Sequence, residues 1–140
     1  MRLHKELSAV STTLLLFVVG IVLFYDDMPR LEGWLLPVVT EVETSQEASI
    51  AAGVRFYVTF EKVRDCEFIS LIWYNGPDRL VLDFEPSAES APISRTPGGQ
   101  ATGPWLLSGI ETLEGTTATV VHQCHPLWYT RSVFFPLKAQ

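Results

Sequence analysis

From Ser8 to Tyr25 the chain reads SAVSTTLLLFVVGIVLFY, without a charge and with only short hydroxyl groups as polar side chains. Hydroxyls of this size bond back to their own helix, and a helix satisfies all its backbone groups within one segment, so such a stretch suits hydrocarbon. Taken as a helix from Leu7 to Tyr25, about 19 residues span roughly 28 Å, close to the thickness of a bilayer core. Arg2 and Lys5 precede the stretch and Asp26 and Asp27 follow it. The positive-inside rule therefore puts the N-terminus in the cytoplasm and everything after the helix on the other side. A cleaved signal peptide would need a shorter apolar core and a small-x-small site, and Leu23 to Pro29 (LFYDDMP) offers none.

This reading divides the chain into a cytoplasmic stub (1–6), a transmembrane signal-anchor (7–25), a short polar linker (26–33) in which Pro29 stops the helix, and an exported domain (34–140). The localisation it implies is the inner (cytoplasmic) membrane, single-pass, with the C-terminal domain in the periplasm or extracytoplasmic space.

Charge narrows the classes of partner. The net charge is −6, and leaving out Arg2, Lys5 and Glu6 makes the exported part more negative still. With no basic cluster, that part lacks the phosphate-neutralising surface that nucleic-acid binding requires, and it lacks the attraction that docks proteins on anionic lipid. Two cysteines, Cys66 and Cys124, lie far apart and form no CxxC pair. In an oxidising compartment the economical reading is one structural disulfide, with a pair of free thiols as the functional alternative. Closing a loop of about 59 residues stabilises by roughly 4 kcal/mol on the chain-entropy account.

Beyond the linker, apolar runs are broken by Gly, Pro, Asn and Asp clusters, the punctuation of an all-β domain. Seven strands are predicted: Val38 to Glu43, Val54 to Lys62, Glu67 to Tyr74, Arg79 to Phe84, Trp105 to Ser108, Thr117 to Cys124 and Thr130 to Phe135. The second is the clearest, with Val54, Phe56, Val58 and Phe60 alternating with Arg55, Tyr57, Thr59 and Glu61. In the third, Ile69, Leu71 and Trp73 fall on one face and Phe68 and Ile72 on the other, as for a central strand covered on both sides. Asn75 to Asp78 (NGPD) suits a hairpin. Between Phe84 and Trp105 lies a Ser/Ala/Pro/Gly-rich loop, EPSAESAPISRTPGGQATGP, too poor in apolar groups to order itself.

Seven short strands and two distant cysteines imply an all-β sandwich preceded by a single N-terminal transmembrane helix. Cys66, Trp73 and the stretch Ile110 to Cys124 (IETLEGTTATVVHQC) resemble the immunoglobulin-like and fibronectin type III-like group. Two features depart from that group's pattern. Cys66 and Trp73 share one strand, and His122 stands where a Tyr often precedes the second cysteine. If Cys66 opens the third strand and Cys124 ends the sixth, the disulfide joins neighbouring strands of one sheet instead of crossing between sheets. The stretches RDCEF (Arg64 to Phe68), GPWLL (Gly103 to Leu107) and CHPLW (Cys124 to Trp128) also resemble small single-span proteins of bacteriophages and prophages, a likeness that speaks to an envelope location.

Candidate chemistry is sparse. His122, Cys124 and His125 carry ligand-type side chains, but on a strand His122 and Cys124 share one face and His125 takes the other. No metal site is expected, with His122 and Cys124 the runner-up pair. There is no GxSxG elbow, and PGGQATG (Pro97 to Gly103) lacks the lysine and helix of a phosphate loop. Neither an enzyme nor a cofactor is expected. Aromatic residues offer more. Trp128 and Tyr129, with Arg95 and Trp105, form a candidate partner-binding surface, since Trp, Tyr and Arg dominate interface hot spots. The alternative is that both tryptophans plug the ends of the sandwich. Trp34, Leu35 and Leu36 either pack on the sheet or rest at the lipid interface. The function that follows is a membrane-tethered, non-catalytic binding module or accessory subunit contacting another envelope or membrane protein, its oligomeric state left open. The alternatives are a phage-encoded modulator of lysis or superinfection, and a small redox or metal-handling envelope protein.

Overall fold

In a computed structural model, residues 2–84 and 95–136 are described, with the side chains of 2–10 and 46 left aside. The predicted loop segment 85–94 lies outside the described residues. Two helices, α1 (Arg2–Tyr25) and α2 (Met28–Leu35), precede eight strands: β1 (Val39–Ile50), β2 (Gly53–Lys62), β3 (Glu67–Asn75), β4 (Asp78–Leu80), β5 (Leu82–Phe84), β6 (Gly98–Ser108), β7 (Thr116–Gln123) and β8 (Thr130–Phe135).

The strands build two antiparallel four-stranded sheets, ordered β1-β2-β6-β5 and β4-β3-β7-β8. They face each other across one apolar core, as in a β-sandwich. In β2 the alternation read from the sequence holds: Val54, Phe56 and Val58 are buried while Tyr57 and Thr59 face solvent. Phe56 is the hub of the core aromatics, meeting Trp73 at 5.4 Å and Trp105 at 5.9 Å between ring centroids. Trp105 in turn stacks on Phe134 at 6.0 Å. The indole of buried Trp73 donates to Thr116 Oγ1 at 2.8 Å, and that hydroxyl donates to the Leu113 carbonyl at 2.7 Å. The polar edge of a large core ring is thus satisfied internally.

Several elements depart from the sequence reading. The predicted strand Arg79 to Phe84 is two three-residue strands on different sheets, and Val81 carries the chain across between them; its carbonyl accepts from Ser108 N–H. β1 runs on through a polar stretch to Ile50 because it pairs with β2 along most of its length, with two irregularities in register. β6 begins at Gly98, inside the predicted loop, where Gly98 to Gln100 pair with Lys62 to Phe60. In β3 a bulge between Phe68 and Ser70 shifts the faces. Phe68 therefore packs on the core beside Leu71 and Trp73, while Ile69 turns out to solvent.

The N-terminal region differs as well. Among the described residues no single helix is long and apolar enough to cross a membrane; Ser11–Tyr25 and Met28–Leu35 pass together by length and composition, bent by 69°. The segment read as a linker is mostly helix α2, and Pro29 sits in its first turn, where a missing N–H costs nothing. Every large apolar side chain from Leu14 to Tyr25 is between 44% and 70% exposed, all round α1.

Candidate functional site

The densest polar constellation lies where α2 meets the sandwich. Gly33, in the middle of α2, is buried against β8: a Cβ there would overlap the Arg131 carbonyl and come within 2.9 Å of Ser132 Oγ. Only a glycine lets the helix come this close, and the approach delivers the neighbouring side chain, Glu32, to the β7–β8 loop. Four side chains donate to its carboxylate. Arg64 Nη2 reaches Oε1 at 2.9 Å. Trp128 Nε1 at 2.8 Å, Thr130 Oγ1 at 2.9 Å and His125 Nε2 at 3.1 Å converge on Oε2.

Burial by itself would raise the Glu32 carboxyl, but the hydrogen bonds from Arg64, Trp128, Thr130 and His125 outweigh it and bring the pKa from 4.5 to about 2. The geometry also assigns the His125 tautomer. Its Nδ1 accepts from Leu127 N–H at 3.2 Å, so Nε2 carries the proton that points at Glu32. Arg64 extends the network through Nη1, which donates to the Leu36 carbonyl at 2.8 Å. On the α1 side, Tyr25 donates its hydroxyl to the Leu127 carbonyl at 2.7 Å, and its ring meets Trp128 edge-on at 6.3 Å. The end of α1, all of α2 and the loop after β7 thus form one joint.

The same end of the sandwich carries the disulfide. Cys66 and Cys124 are bonded, with 4.5 Å between their Cα atoms. They flank the paired residues Glu67 and Gln123 of neighbouring strands β3 and β7, so the bridge lies within one sheet. Lys62, at the end of β2, is 3% exposed and donates to the carbonyls of Cys66 and Arg95. Burial lowers its pKa, and Asp65 opposes the change. His122 is equally buried; burial first, then the positive charges of Lys62 and Arg64, push it down to about 4. Its Nδ1 is a buried atom with no hydrogen-bond partner among the described residues.

The predicted site residues therefore separate. Trp105 is 6% exposed and lies within the aromatic core, the place the alternative reading gives it. Trp128 is half-buried and fixed to Glu32, leaving Tyr129 as the solvent-facing member. Arg95 binds Gln100 Oε1 and the Ala101 carbonyl, and its backbone is tied to Lys62, at the same end as Trp128. Cys124 has its sulfur in the disulfide and offers no thiolate to a metal beside His122. No group of three or more metal-ligating side chains occurs among the described residues. Sequence reasoning missed Glu32 and Arg64 altogether. No protein family, curated protein or solved structure matches the chain.

Proposed function

We propose that the chain is a bitopic membrane protein whose sandwich is a non-catalytic binding module, held in one pose on its anchor to contact another protein of the same membrane. α1 crosses the inner (cytoplasmic) membrane with its N-terminus inside, and the sandwich lies in the periplasm or extracytoplasmic space. The exposed apolar surface all round α1 supports the anchor, as does the placing of Arg2 and Lys5 before it and Asp26 and Asp27 after it. The strand order β1-β2-β6-β5 facing β4-β3-β7-β8 supports an immunoglobulin-like reading, since that group sets four strands in A-B-E-D order against a C-F-G sheet.

One observation carries the functional reading: the carboxylate of Glu32 is held by four donors drawn from the sandwich. A domain tethered only for retention needs no such joint, whereas a subunit that must meet a neighbour in a fixed orientation does. Tyr129, exposed beside the joint, is where contact is made. The test is a photo-crosslinking amino acid at Tyr129 in the full chain, irradiated in native membranes. One dominant membrane protein should be captured; a diffuse set of adducts would overturn the reading.

A further inference from the structure

α2 has two unlike faces. Pro29, Glu32 and Gly33 turn toward the sandwich, while Leu31, Trp34 and Leu35, at i, i+3 and i+4, turn away from it. These outward residues are 45%, 70% and 59% exposed, and Leu36, just past the helix end, is 58% exposed. Three large apolar groups exposed on one face of an eight-residue helix, with a fourth just past its end, are unusual for a surface in water. Leu127, 66% exposed, stands at the corner where its carbonyl receives the Tyr25 hydroxyl.

We infer that this outward face of α2, extended by Leu36 and Leu127, is a lipid seat that rests in the interfacial layer of the same bilayer that α1 crosses. The inference rests on the anchor reading proposed above. Three observations commit the face to lipid. It follows closely on the apolar surface of α1, which ends at Tyr25, with only Asp26 and Asp27 between the two helices. The 69° bend lays α2 within about 20° of the membrane plane when α1 stands along the normal, the attitude of an interfacial amphipathic helix. Its composition, Trp flanked by Leu, matches the headgroup boundary, where Trp is enriched.

The domain's negative charge indicates the lipid class. Seating is driven by apolar area and not by attraction to anionic headgroups, so zwitterionic phosphatidylcholine suffices. Because Glu32 and Gly33 hold the opposite face of α2 to β8 and the β7–β8 loop, the seat fixes the tilt of the whole sandwich above the membrane.

The test uses the full chain reconstituted in phosphatidylcholine vesicles, with a photo-crosslinking amino acid replacing Trp34, Leu35 or, as a control, Val81 on the sandwich. Val81 is 62% exposed and lies beside Ser108, at the end of β6 opposite to Gly98 and Lys62. Irradiation should give lipid adducts at positions 34 and 35 and none at 81, with the chain resisting alkaline extraction. A chain that resists extraction but gives adducts to protein at position 34, or no adducts, overturns the lipid seat and leaves the anchor standing. A chain released by alkali overturns the anchor reading, and the seat with it.

Discussion

Trp128 donates its indole hydrogen to Glu32 at 2.8 Å across a sequence separation of 96 residues. The bond joins α2 to the loop before β8, so the beginning and the end of the described domain hold each other. Its neighbours on Oε2, Thr130 and His125, come from the same loop. What each member contributes can be separated by substitution.

Glu32→Ala should be the most damaging single change at the joint. It leaves Arg64, Trp128 and Thr130 without their acceptor, which costs about 3 kcal/mol when the group lost is a buried charge with several donors. Thermal unfolding of the full chain in detergent should show it, while Trp128→Phe, which removes one donor and keeps a smaller aromatic ring, should cost about 1 kcal/mol.

Gly33→Ala adds one methyl group against the Arg131 backbone. Backbone cannot yield as a flexible side chain can, so α2 must lift from β8 at a cost of about 1–3 kcal/mol. Amide exchange should quicken in α2 and the 125–130 loop, while β2, β3 and β6 keep their protection. Uniform loss of protection would show that the joint and the core unfold together.

Acid should weaken the domain in two stages. His122 has a folded pKa of about 4 against an ordinary 6.5, so the unfolded chain binds the extra proton between those values. Its contribution is complete above pH 6.5 and is lost as pH falls toward 4, by at most about 3 kcal/mol. Glu32, lowered to about 2, holds its contribution above pH 4.5 and loses it as pH falls toward 2. Unfolding midpoints measured from pH 7 to pH 4 should flatten in His122→Leu; an unchanged slope would assign the titration to another group.

The disulfide closes a separation of 58 residues. Cys66→Ala with Cys124→Ala should cost roughly 4 kcal/mol on the chain-entropy account, and the intact chain should weigh two hydrogens less before reduction than after. Two thiols found without reductant would refute the bridge.

Trp105→Ala removes a ring that touches Phe56, Phe84 and Phe134. A loss of about 3–5 kcal/mol follows from the cavity, in contrast to the exposed Tyr129, where truncation should leave the unfolding midpoint within about one or two degrees.

Where local pattern decided structure, the sequence could be read. The alternation in β2 and the pairing of two cysteines depend on residues within one strand or on there being a single possible partner. β6 is different: Gly98 to Pro104 has no strand propensity of its own and is extended because β2 lies alongside it. The bulge after Phe68 exchanges Ile69 for Phe68 on the core face, a one-residue event that alternation cannot anticipate. The joint was hidden for another reason. Glu32 looked like an ordinary acidic residue in a polar linker, since its donors lie from 32 to 98 residues away. Gly33 and Pro29 carried the available signal: a proline followed four residues on by a glycine reads as a linker, yet it also describes a short helix with one face cut away.

The short strands on either side of Val81 affect how the domain behaves when crowded. An open sheet edge invites further copies of a domain to add strand upon strand. Here β4 and β5 offer three residues each before the chain changes sheet, too few to template a stable pairing. The long edge strand β1 carries Glu41, Glu43 and Glu47 and is broken twice in register. The edges at β1, β4 and β5 therefore resist strand addition by further copies.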